Sequence, residues 1–121
     1  MGREDSRRLA DDYADTLSIL GPIEVRSMFG AFALRLDSVM LGFVHGQQLF
    51  LKVDEDGRGY FESLGSRPFN YAGPRGNIVS KSTWSVPEAI AGDPSALVEW
   101  ARQSLRVASE AKEKKPVKKR P

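Results

Sequence analysis

Cysteine is absent from this 121-residue chain and histidine occurs once, as His45. The first absence excludes disulfides, thiolate zinc sites, iron–sulfur ligation and a cysteine nucleophile. The second excludes two-histidine metal motifs and leaves any serine–histidine arrangement with one candidate base. Long apolar runs are missing too. The longest, counting its glycine, is Val39-Met40-Leu41-Gly42-Phe43-Val44, far short of the roughly 20 residues that a membrane-spanning helix needs. The opening Met1-Gly2-Arg3-Glu4-Asp5 is polar with no apolar segment behind it, so no secretory signal is expected and the cytoplasm is the expected compartment. What remains is an ordinary globular composition, 40% hydrophobic and 28% charged, in a chain about the size of one domain. A chain of this length buries roughly two-thirds of its unfolded surface, enough for one modest core without a metal or disulfide staple.

Charge is unevenly distributed. Lys112, Lys114, Lys115, Lys118, Lys119 and Arg120 face only Glu113 in the last ten residues, so this tail carries +5 and the remaining 111 residues carry −3 of the chain's net +2. The expected organisation is therefore one faintly anionic domain over 1–111 and a basic, disordered tail over 112–121, too polar to bury a core.

Leu9, Tyr13, Leu17 and Leu20 recur at helical spacing with Arg8, Asp11, Asp12 and Asp15 at other angles, which predicts an amphipathic helix over about 4–20, stopped by Gly21-Pro22. The period then falls to two. Phe32, Leu34 and Leu36 alternate with Ala33 and Arg35. After Asp37-Ser38, Val39, Leu41 and Phe43 alternate with Met40, Gly42 and Val44, both faces apolar as in a central strand. After His45-Gly46-Gln47, Leu49, Leu51 and Val53 alternate with Phe50 and Lys52. Short connections predict an antiparallel meander, with Val25 to Met28 as a short leading strand. Tyr60, Phe61 and Leu64 take helical spacing up to Gly65, and Gly73-Pro74-Arg75-Gly76 turns a second hairpin between Phe69-Asn70-Tyr71 and Ile78 to Trp84. Asp93-Pro94, an N-cap acceptor followed by proline at the first helical position, starts a last helix carrying Leu97, Ala101, Leu105 and Ala108 to about Ala111. The element order predicts a two-layer α+β fold, an antiparallel meander plus hairpin with N-terminal, middle and C-terminal helices.

Site motifs are few. Asp54-Glu55-Asp56-Gly57 has calcium-loop flavour, but Gly65 stands where the bidentate glutamate of such a loop belongs, so it is expected to cap the middle helix. Gly57-Arg58-Gly59 lacks the third glycine of a dinucleotide fingerprint, Glu62 occupying its place. His45 falls in a turn without a neighbouring carboxylate to orient it, and no serine sits in a nucleophile elbow. No catalytic constellation, cofactor site or metal site is expected. Met28-Phe29-Gly30 sets two bulky apolar residues before a glycine at the entrance to the meander, where an unusual φ or a close approach is needed. Together with Lys52 and the strand aromatics Phe69, Tyr71 and Trp84, these residues are the candidate contact surface, because amphipathic rings anchor interfaces as well as cores. Strand aromatics beside basic groups also suit single-stranded nucleic acid, a reading the acidic body opposes.

Met28-Phe29-Gly30, Gly42-Phe43-Val44, Leu49-Phe50-Leu51-Lys52-Val53, Pro68-Phe69-Asn70-Tyr71, Val86-Pro87 and Trp100-Ala101-Arg102 follow one another in an order and spacing that resembles the amino-terminal domain of the TfoX/Sxy family of bacterial competence regulators. The resemblance spans about residues 9 to 110. It implies a bacterial origin, a fold similar to that of secretion chaperones, and action with the cyclic-AMP receptor protein at promoters rather than as an enzyme. It supplies no catalytic residues. The competence regulators carry a further carboxy-terminal domain, where this sequence has its basic tail, and Thr83-Trp84 stands where the family often has an aromatic pair.

The expected function is accordingly a non-catalytic regulatory domain whose partner is another protein, a transcription regulator or a second copy of the chain. One alternative is a nucleic-acid accessory protein gripping phosphates weakly and non-specifically through Lys112, Lys114, Lys115, Lys118, Lys119 and Arg120. The other is a small-molecule or enzymatic site in a pocket beneath the helices.

Overall fold

The computed structural model describes residues 2–28 and 30–114, with the side chains of 2–3, 71–73, 77, 81 and 111–114 outside the description. Helix α1 (Gly2–Thr16) begins with Glu4 and Asp5 in its first turn, where carboxylates favour the positive end of the helix dipole. A 3-10 turn (Leu17–Leu20) ends it, and Gly21, at φ +141°, closes the turn by donating its amide to the Ser18 carbonyl at 3.0 Å. The chain then runs through β1 (Glu24–Met28), β2 (Ala31–Leu36), β3 (Val39–His45), β4 (Gln48–Lys52), α2 (Glu55–Ser63), β5 (Pro68–Gly73), β6 (Gly76–Ser85), α3 (Glu88–Ala91) and α4 (Pro94–Lys114). Helix α3 has no counterpart in the sequence reading, and α4 runs three residues past the expected Ala111, so Lys112 and Lys114 lie on a helical backbone.

The strands form one antiparallel sheet in the order β1-β2-β3-β4-β6-β5. The meander expected from alternation is its first four strands, and β3 is central as its two apolar faces require. The second hairpin joins the same sheet, because the final stretch of β6 pairs with β4 from Phe50↔Ser85 to Lys52↔Thr83. Asp37 and Ser38 both take positive φ, 53° and 69°, the pattern of the two-residue hairpin turn whose twist matches that of the strands.

Register sorts the side chains into two faces. Phe32 and Leu34 oppose Val44 and Gly42, these oppose Leu49 and Leu51, and Leu51 opposes Trp84. All but the glycine belong to the one core, with Leu17, Phe61, Ile90, Leu97 and Ala101 from the helical segments. The expected grouping of Leu41 with Phe43 on one face does not hold. The pairing passes from Leu34↔Gly42 to Arg35↔Met40, so Leu41 is an extra residue at a β-bulge. The bulge reverses parity, which keeps Leu41 in the core and turns Phe43 to the opposite face.

The helical layer is fastened by few polar contacts. The Ser6 hydroxyl donates to the Gly46 carbonyl, tying α1 to the β3–β4 turn. The fully buried Ser104 hydroxyl donates to the Lys52 carbonyl at 2.6 Å, tying α4 to the end of β4. Half-buried Tyr13 has its phenol pushed above the usual range by burial and by Glu88. Asp54 caps α2 by accepting from the Gly57 amide at 2.8 Å, as the acidic turn was expected to do. That hydrogen bond, with Arg106 at 3.2 Å, holds its carboxyl below the usual range. A depressed carboxyl contributes stability above its unfolded pKa, and the contribution is lost as pH falls through the folded value. Asp93 Oδ1 accepts from the Ser95 amide at 3.1 Å ahead of α4, as its place before Pro94 predicts.

Gly42 is the tightest point. A Cβ there would collide with the Phe50 carbonyl and press on Leu51, so β3 and β4 can close over the core only if this position is bare. Gly42→Ala is expected to cost about 1–3 kcal/mol in urea unfolding, the range for overpacking a tight site. Gly59→Ala, where a Cβ meets nothing within 4 Å, is expected to cost no stability.

Candidate functional site

Among the described residues, the helices pack on one face of the sheet. The opposite face presents Met28, Ala31 and His45 along one row and Arg26, Ala33, Phe43, Phe50 and Ser85 along the next. Three phenylalanines gather on it from distant parts of the chain. Phe43 and Phe50 stack at 5.4 Å with a 26° interplanar angle. Phe69, from β5, stands edge-on to both, at 4.8 Å from Phe43 and 5.1 Å from Phe50, and His45 lies edge-on to Phe69 at 5.4 Å. Phe43, the innermost ring, is 6% exposed, while Phe50 and Phe69 are half-buried and reach the surface.

Beside the rings is a groove of about 280 Å³ with Phe50, Phe69 and Pro68 as its apolar wall and His45, Arg67 and Asn70 among its polar lining. Ser85, a small residue, lines it opposite Phe50. The Ser85 hydroxyl accepts from the Arg67 amide at 3.0 Å, and the Ser85 amide donates back to the Arg67 carbonyl at 2.9 Å. This exchange holds Arg67 at the rim, with its side chain exposed. None of the ion pairs among the described residues uses Arg67, and no carboxylate lines the groove.

The sequence candidates are dispersed by the fold. Phe69 joins the aromatic cluster. Met28, half-buried at the end of β1, opposes Ala31 on the same face, and Gly30 follows at φ +83° with open space around it, so it is the backbone conformation that calls for glycine. Phe29 lies outside the described residues. Lys52 ends β4 opposite Thr83, and Tyr71 pairs with Ile78 in β5, its side chain outside the description. Trp84, offered as a contact residue, is 6% exposed and packs in the core, because its register with Leu51 turns it to the helical side. Lys112 and Lys114 sit on the α4 backbone, and Lys115, Lys118, Lys119 and Arg120 lie outside the described residues. Phe43, Phe50 and Arg67 were not among the candidates, and His45 was weighed only as a general base. The alternation of Phe50 against Leu49 and Leu51 was the signal for one of them. For Phe43 the bulge concealed it.

No group of three or more acidic, histidine or cysteine side chains that could hold a metal occurs among the described residues. The arrangement supplies a hydrophobic contact surface with hydrogen-bond donors at its rim. The model of the TfoX N-terminal domain matches the chain over residues 15–108. The chain belongs to the TfoX N-terminal domain family. That match covers every element from the end of α1 through most of α4, and so includes all of the open face. The TfoX N-terminal domain is not a known catalytic family. No curated protein matches the chain. Among the described residues, no helix of this TfoX N-terminal domain is long and apolar enough to cross a membrane.

The rings differ in what they do for the fold, and truncation separates the roles. Phe43→Ala is expected to cost about 3 kcal/mol or more, as for a buried phenylalanine. Phe69→Ala should cost about 1 kcal/mol, a typical single-substitution loss. Chemical denaturation of the two variants checks the ranking.

Proposed function

We propose that this chain is a cytoplasmic, non-catalytic interaction domain with a regulatory role, and that it makes its contact through the open face of the sheet. The observation that carries the reading is the aromatic cluster of Phe43, Phe50 and Phe69, assembled from β3, β4 and β5 on the face that α1 and α4 leave uncovered. Half-exposed rings backed by a buried one give a rigid apolar patch, and aromatic anchors of this kind dominate the energetics of protein contacts. Membership of the TfoX N-terminal domain family supports regulation over catalysis, with transcription of competence genes as the setting its name suggests.

The test is sizing and capture from the native cell with the full chain and with a Phe50→Ser/Phe69→Ser variant whose fold is verified by circular dichroism. The unaltered chain is expected to enter a complex larger than the monomer, and the double variant is expected to remain monomeric. A monomer without partners, or the same complex formed by the double variant, would overturn the proposal.

A further inference from the structure

The division of charge between the two layers points to the class of partner. Among the described side chains, helices α1 to α4 hold eleven acidic residues against five basic ones, whereas strands β1 to β6 hold a single acid, Glu24, against Arg26, Arg35 and Lys52. Glu24 is already engaged by Arg26 at 3.4 Å. Arg67 adds a further cation at the rim of the groove. The excess of acid thus lies on the helices, while Arg26, Arg35 and Lys52 share the strand parity of Ala33 and Phe50 on the open face.

Resting on the interaction reading above, we propose that the groove beside Phe50 and Phe69 receives an extended acidic peptide segment of a partner protein. An aliphatic or aromatic side chain of that segment seats against the two rings, and flanking carboxylates meet Arg67 and the His45 ring. Three observations favour this occupant. The groove offers donors and no carboxylate, so an acidic segment is attracted and a basic one has no counter-charge there. A volume of about 280 Å³ fits one or two side chains rather than a row of bases. The rings also spend their faces on one another: Phe43 and Phe50 stack and Phe69 stands edge-on to both, leaving little of the flat platform on which bases of single-stranded nucleic acid stack. Ring edges carry the positive end of the aromatic quadrupole and favour nearby carboxylate oxygens.

The test is selection from a displayed library of random nine-residue peptides on the full chain and on Arg67→Glu, an exposed substitution that leaves the core intact. Binders to the unaltered chain are expected to carry Asp or Glu on either side of an aliphatic or aromatic residue. Their affinity should fall about fivefold or more on Arg67→Glu, and selection on that variant should turn toward Lys and Arg. Recovery of no binders, absence of an acidic bias, or an acidic bias unchanged by Arg67→Glu would overturn the proposal. So would displacement of the selected peptides by a thymidine oligonucleotide, which would assign the face to nucleic acid. Failure here is distinguishable from failure of the interaction reading. A complex that is lost with Phe50→Ser/Phe69→Ser while the library shows no acidic bias keeps the contact face and rejects the acidic segment.

Discussion

One-sided burial of the sheet is the constraint on which the rest of the molecule depends. Helices α1 and α4 lie across β2, β3 and β4, and the core they enclose draws Phe32, Leu34, Val44, Leu49 and Leu51 to one side. Two devices at neighbouring positions make this possible. Gly42 lets the β4 backbone approach closely, and the bulge at Leu41 puts Leu41 in the core and Phe43, two residues on, on the opposite face. Phe43 reaches the second face for that reason, and around it Phe50 and Phe69 collect. The proposed contact surface is therefore a by-product of how the core closes, positioned by strands rather than by loops.

The polar features of the helical side read as fastening. Asp54 spends its carboxylate on the cap of α2 and on Arg106, and Ser104 spends its hydroxyl on the end of β4. Tyr60 and Phe61 of α2 pack on Trp100 of α4, the first stacked at 5.6 Å and the second edge-on at 5.0 Å. These groups satisfy one another within the layer. On the open face, by contrast, Arg67 is held by its backbone and keeps its side chain in solvent. Groups committed to structure and groups presented outward are thus separated by the sheet itself, and the separation of charge follows the same boundary.

Much of the architecture was legible in the sequence because it rests on local signals. The alternation of Leu49, Phe50 and Leu51, the Asp37-Ser38 turn and the Asp93-Pro94 helix start each act within a few residues and each appears where expected. The misassigned positions depend on pairings that no local pattern encodes. A bulge is defined by the partner strand, so Leu41 and Phe43 looked equivalent. Trp84 was open to a core or a contact reading because the pairing of β6 with β4, which turns it inward, is non-local. Arg67 carried no motif at all. Its position at the rim of the groove comes from Ser85, eighteen residues away in sequence and hydrogen-bonded to its backbone.

Contact through the open face is the central claim, and site-specific photo-crosslinking in the native cell tests it most directly. A photoreactive phenylalanine analogue would replace Phe69 in one chain and Tyr60, an exposed ring on the helical layer, in another. A discrete adduct from position 69 and none from position 60 is the result predicted. An adduct from position 60 alone, or equal adducts from both, would contradict the account.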